Sequence, residues 1–365
     1  MDHAHRLTPG DVVVAYSPDL GEWTAAQITG VNEKHRSAEV LELTWSGPEP
    51  RCLAELGELV PLRLTHHDHP YPNRPAHTWL TGLLPRGHRV LGNLPPLVTE
   101  STAAYFWRWD LGLQLDCQRQ WDAGHRGERP NQQPYATHDS TALPGTRDER
   151  LRTLSVTVRP ELDCALLPEL FPNLTSLSLT GALTTLTNAA ALSRLPHLRD
   201  LGLSGVYGMT GADVPRPADL PDLAWLRLHG IPADYAKAAR RLWQPEERNG
   251  TFLEIRWART PDWLAENRDN PLRSWDGNIP AAAYKKAIAQ YKLTRRAVLA
   301  ALPEGPARLT ELGREYAEAF NTLHARWNFI ETIEREDLLD ALQGITDETW
   351  AQEALAKGME AARDW

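Results

Sequence analysis

In the middle of the chain, three copies of a four-residue pattern, apolar-Pro-x-Leu, each open the same longer run. Phe171-Pro172-Asn173-Leu174, Leu195-Pro196-His197-Leu198 and Leu220-Pro221-Asp222-Leu223 all continue as Leu-x-x-Leu-x-Leu-x-Gly, ending at Gly181, Gly205 and Gly230. An earlier copy without the Pro begins at Leu151, and a degenerate one spans Phe252 to Trp257. From Leu151 the leading leucines recur after 23, 24 and 25 residues. Leucines alternating along a strand face one way, and a unit this short cannot cover that face by itself, so the units must stack. The Pro ends each return segment and fixes an extended entry into the strand. The Gly lets the chain leave through a conformation that side chains disfavour. Return segments such as Asn188 to Leu195 read as helical.

These runs resemble leucine-rich repeat proteins over about residues 150 to 260. One departure stands out: where the family carries an Asn or Cys that bonds the adjacent turn, this chain has Ala182, Val206 and Ile231. A short, somewhat irregular array is therefore expected. The fold class expected for the whole chain is α/β, a short leucine-rich repeat solenoid flanked by a small N-terminal β-barrel and a C-terminal α-helical region. Its divisions are read as 1–64, 65–150, 151–275 and 276–365.

In the first division, short strands alternate with turns. Val12, Val14 and Tyr16 alternate with Val13 and Ala15; a second strand covers Trp23 to Val31; and Leu41, Leu43 and Trp45 share one face of a third. The pieces Pro9 to Ala15, Glu22 to Ile28 and Leu56 to Leu62 resemble an SH3-like or Tudor-like barrel. In Tudor barrels an aromatic cage holds a methylated cation, a role open to Tyr16, Trp23 and Trp45. The competing reading, that they fill a small core, is favoured because so small a barrel needs large side chains.

The second division is rich in Pro, Gly and His. His66, His67 and His69 with Asp68 suggest a metal cluster, but no fourth ligand accompanies them at a zinc-site spacing, which favours a solvated loop. The aromatic segment Tyr105 to Trp109, with Trp121, demands burial and is expected to dock the barrel onto the repeats. In the last division Pro280 opens a helix whose Tyr284, Ile288, Tyr291, Val298 and Leu302 form an apolar stripe. Lys285, Lys286, Lys292, Arg295 and Arg296 lie around the rest. Residues 281–365 hold 11 Lys plus Arg against 14 Asp plus Glu, so local salt bridges or a solvated face are favoured over a phosphate track. A second helix carries Leu309, Leu312, Tyr316 and Phe320 and is expected to break between Asn321 and Asn328. An acidic turn from Glu331 opens a third, and Thr346 or Asp347 caps a last one.

A formal charge of -9 disfavours a nucleic-acid partner. No apolar run is long enough for a membrane span and no signal-peptide core follows Met1, so a cytoplasmic protein is expected. Cys52, Cys117 and Cys164 are too scattered for a disulfide framework and read as reduced, buried thiols. No phosphate-binding Gly loop, nucleophile elbow or zincin pattern is found, so no cofactor, metal or catalytic residue is assigned. The chain as a whole also resembles a bacterial type of leucine-rich repeat protein through Glu22 to Ile28, Asn270 to Gly277 and Phe329 to Glu336, a resemblance that implies no activity.

The expected function is protein–protein interaction through the open strand face. There the side chains alternating with the leucines are Thr153, Ser155, Ser176, Ser178 and Thr180 in the early strands. In the later ones they are Asp200, Trp225, Arg227, His229, Glu254 and Arg256, types that anchor interfaces. Bacterial immunity or defence is a setting such a recogniser suits. The alternatives left open are a metal-dependent enzyme built on the His cluster and a nucleic-acid or peptide binder using the N-terminal barrel.

Overall fold

The computed structural model describes residues 6–66, 73–99, 109–126 and 134–365. Its contacts divide into two compact units, Met1–Thr260 and Pro261–Trp365.

The first unit holds two sheets. Strands β1 (Asp11–Ser17), β2 (Glu22–Asn32) and β3 (Ser37–Gly47) form an antiparallel meander. After a small ladder of β4 (Arg63–Leu64) with β5 (Arg74–Pro75), β6 (His77–Thr81) and β7 (His88–Asn93) complete the sheet in the order β6-β3-β2-β1-β7. Residues 1–64 therefore do not finish it: both edges come from the Pro- and His-rich stretch that follows. The sheet is apolar on both faces. Val13 and Ala15 join Ala26, Ile28, Val40 and Leu80 on one side, with the buried Trp109. Val12 and Val14 join Ala25, Leu43 and Leu56 on the other, with Trp23 and Trp45 packed alongside. Helix α1 (Leu113–Asp122) follows. Tyr105 to Arg108 lie outside the described residues, and of that aromatic run Trp109 is in the core.

The second sheet is parallel. Its strands are β8 (Tyr135–Asp139), β9 (Thr153–Thr157), β10 (Glu161–Asp163), β11 (Ser176–Thr187), β12 (Asp200–Tyr207), β13 (Trp225–His229) and β14 (Phe252–Arg256), with short α2 (Leu166–Leu170) and α3 (Ala233–Trp243) between them. The order is β14-β13-β12-β11-β9-β8, with β10 on the second half of β11. The register is that of the sequence period: Leu154, Leu177, Leu201, Leu226 and Leu253 lie side by side, as do Val156, Leu179, Leu203, Leu228 and Ile255. The first four of each row are at most 3% exposed. Leu174, Leu198 and Leu223 are fully buried behind them.

Gly230 leaves β13 at φ +58, as its position requires, whereas Gly205, at φ +63, lies inside β12, where a Cβ would fall 2.1 Å from the Gly181 carbonyl oxygen. Gly181 has a different reason to be Gly. Its φ is not positive, and β11 bulges just beyond it, with Leu183 at φ +63, so that a Cβ on Gly181 would fall 1.8 Å from Thr184 Oγ1. Val206 and Ile231 are fully buried, so the places of the family's polar side chains are filled by core residues. The return segment after β11 is a 3-10 turn over Ala189–Arg194, not an α-helix. Cys117 and Cys164 are buried thiols, and burial pushes Cys164 up to about 12; Cys52, against expectation, is exposed.

The second unit is helical: α4 (Pro261–Asn267), α5 (Ala281–Ala301), α6 (Pro306–Trp327), α7 (Thr332–Gln343) and α8 (Thr349–Ala362). Leu272 and Trp275 belong to its core, so 261–275 goes with this unit rather than with the repeats. Trp275 donates its indole N–H to Asp337 at 2.8 Å. Helix α6 runs to Trp327 and stops at Asn328, the far end of the expected interval, in the left-handed region. Glu331 and Glu334 form the capping box of α7. Neither Thr346 nor Asp347 caps α8, whose N-cap is Glu348. Among the described residues no helix is long and apolar enough to cross a membrane.

Candidate binding cleft between the two sheets

In-register pairing of parallel strands lines up the side chains opposite the leucines in three rows. One reads Tyr135, Thr153, Ser176, Asp200, Trp225, Phe252; the next Thr137, Ser155, Ser178, Gly202, Arg227, Glu254; the third Asp139, Thr157, Thr180, Ser204, His229, Arg256. The six residues singled out from the sequence thus fall on one face.

They are tied to each other. Arg227 Nη2 donates to both carboxylate oxygens of the buried Asp200 at 2.8 Å, a charge-assisted contact between neighbouring rows. Its Nε is buried and bonds nothing. Glu254 pairs with Arg256, and His229 Nε2 lies 3.4 Å from Glu254 Oε2. At that distance the geometry leaves the His229 nitrogen without a hydrogen bond. The Trp225 and Phe252 rings meet at 5.1 Å, and His229 meets the ring of Trp257 edge-on at 5.8 Å.

The antiparallel sheet faces these rows across two clefts. The narrower, about 200 Å³, runs between Tyr16, His88 and Trp109 on one wall and Thr153, Ser176 and Asp200 on the other. The early Ser and Thr residues on this row are thereby covered by the chain's own first sheet. Burial pushes the His88 imidazole down to about 4, and Arg199 adds to the fall. The wider cleft, about 750 Å³, has Trp225, Phe252, Arg227 and Glu254 as one wall. Leu7, Val31, Arg36 and Leu83 stand opposite. Arg36 is exposed and held at φ +49, and no side-chain partner engages it among the described residues.

Four of the six, Asp200, Trp225, Arg227 and Glu254, line the wide cleft; His229 and Arg256 sit one row below and act on it through Glu254. Trp225 also packs on the core that contains Leu7 and Trp109, which makes it partly structural. Phe252 belongs to the site and was missed, although it stands before Leu253 as Trp225 stands before Leu226.

The two walls are joined at one end by Arg86, on the turn between β6 and β7. Its guanidinium donates to Thr251 Oγ1 at 2.9 Å and to the Pro221 carbonyl at 2.6 Å, and pairs with Glu246. Its backbone N–H reaches the Gly250 carbonyl at 3.1 Å. A Cβ on Gly250 would come within 2.6 Å of that nitrogen, and Gly250 is at φ +89, so only Gly fits there.

The other sequence candidates fall elsewhere. His66 is buried and bonds Gln114 at 3.0 Å, while His67, Asp68 and His69 lie outside the described residues. No group of three or more His, Cys, Asp or Glu that could hold a metal ion occurs among the described residues. Trp23 and Trp45 pack against the core, with Arg89 over the Trp23 ring at 5.3 Å, whereas Tyr16 lies at the narrow cleft. Comparison with protein-family models, with curated proteins and with solved structures finds no match to the chain.

Proposed function

We propose that residues 151–256 are a short leucine-rich repeat array, that the first sheet is a small SH3-like barrel, and that the wide cleft between them binds a segment of a protein partner. The observation that carries this reading is the cleft itself. It combines an aromatic wall, Trp225 on Phe252, with an arginine aligned by Asp200, and a volume of about 750 Å³ suits a few side chains of an inserted segment. Interface hot spots are enriched in Trp and Arg. The floor is nearly self-neutralised, because Arg227 is matched by Asp200 and Glu254 by Arg256. Among the described arginines that line the cleft, Arg36 on the rim has no acidic partner, so the bound segment offers an apolar side chain to the aromatic wall and an acidic group to Arg36.

A random peptide library selected against the full chain tests this. Enriched peptides should lose about tenfold or more in affinity, roughly 1.4 kcal/mol, to Phe252→Ala and to Arg36→Glu. Arg36 is exposed, so its change should leave the thermal midpoint unaltered. Peptides that bind both variants as they bind the native chain would place the interaction elsewhere.

A further inference from the structure

We infer that the solvent face of α5 is a docking surface for an acidic amphipathic helix of a partner protein, independently of the cleft. One side of α5 is spent on the core of its unit: Ala283, Ala287, Tyr291, Thr294, Val298 and Ala301 are buried. Helical geometry puts Lys285, Lys292 and Arg296 in a line on the opposite side, over about 16 Å, with Lys286 and Arg295 beside it. All five are exposed.

The helix contains 21 residues and not one Asp or Glu. Its neighbour α6 is built differently: Arg308 pairs with Glu311 and Glu315, and Arg314 with Glu311 and Glu318. None of the five cations of α5 has an ion-pair partner among the described residues. The cations of α5 thus form the solvated face that was one of the two expectations for them, and Lys292 stands at i+3 and i+4 from Arg295 and Arg296 with no acidic residue on the helix between them. An acidic surface laid along the helix offsets that positive charge.

Two further observations select the kind of partner. Leu293 and Leu299 stand among the cations at 60% and 41% exposure, and an apolar stripe on a partner helix buries them while a phosphate backbone has no use for them. Outside α5, residues 261–365 carry 8 Lys plus Arg against 18 Asp plus Glu. That net negative charge opposes a long polyanion extending past the helix more than a single acidic helix matched to the cationic line.

The probe is a synthetic, fluorescently labelled helical peptide with Glu at i, i+7 and i+11 and Leu at i+3 and i+4, titrated into the full chain at about 50 mM and about 150 mM salt. Saturable binding is expected, weakened about tenfold or more by Lys292→Glu with Arg296→Glu and about threefold or more by Leu293→Ala with Leu299→Ala. The milder pair Lys292→Gln with Arg296→Gln guards against misfolding and should still weaken binding. Arg36→Glu, at the cleft, should change nothing, which keeps this surface separate from the proposed peptide site. Tighter binding of a 20-base-pair duplex or of anionic phosphatidylserine vesicles than of the peptide would overturn the assignment. So would peptide binding that ignores the charge reversal, or no binding at the lower salt.

Discussion

Glu42 on β3 is a buried carboxyl. Burial pushes it up to about 7, against the pull of the Gly112 N–H it accepts at 3.1 Å, and Asp110 adds to the rise. The unfolded chain releases this proton near the ordinary value of 4.5, the folded chain near 7. Between those values the folded state binds more protons, so stability falls as pH rises through the window and stays lower above it. Glu42→Gln keeps an acceptor for Gly112 and removes the titration. The variant should match the native chain at pH 4.5 and exceed it by about 3 kcal/mol above pH 7, as read by denaturant unfolding. A difference constant with pH would mean that Glu42 is not held protonated. Such a residue is illegible in a sequence because its partner lies 70 positions away. Asp200 and Arg227 were legible as members of one face, since alternation fixes the face, but their charge-assisted contact needed the in-register pairing of β12 with β13.

At the scale of elements, the parallel strands were readable because each repeat states its strand and its turn in the same letters. Strands β6 and β7 were not: they lie among Pro, Gly and His, and their pairing with β3 and β1 is non-local. The end of α6 was legible only to within the interval Asn321 to Asn328, because polar residues such as Asn321, Thr322 and His324 follow Phe320 while the helix continues to Trp327. Helices α6 and α8 show how closely two elements approach. A Cβ on Gly313 would fall 2.1 Å from the Leu355 carbonyl oxygen, and one on Gly358 would fall 1.8 Å from that of Thr310. Neither glycine is at positive φ; both are required by contact. Gly358→Ala should cost about 2 to 3 kcal/mol, since backbone must move to admit the methyl group. Hydrogen exchange should show protection lost in α6 and α8 while the parallel strands keep theirs. Undiminished protection would mean that the helices separate at little cost.

Over the whole first unit, the period specifies one wall of the cleft and says nothing about the other. What brings the walls together is side-chain packing between sheets and the bonds of Arg86 to Thr251, Pro221 and Glu246. Arg86→Ala leaves Glu246 and the Pro221 carbonyl without their partner, and should lower stability by about 2 kcal/mol, measured by denaturant unfolding, with faster exchange in β7 and around Gly250. An unaltered midpoint would show that packing alone holds the sheets. The arginine has a second consequence, one of thermodynamic reciprocity. A segment that touches both walls binds only while they are held at the right spacing, so its affinity carries the free energy of keeping them there. Loosening Arg86 should then weaken a cleft ligand that Arg86 never touches, and a tightly bound ligand should return to the Arg86→Ala chain part of the stability it has lost.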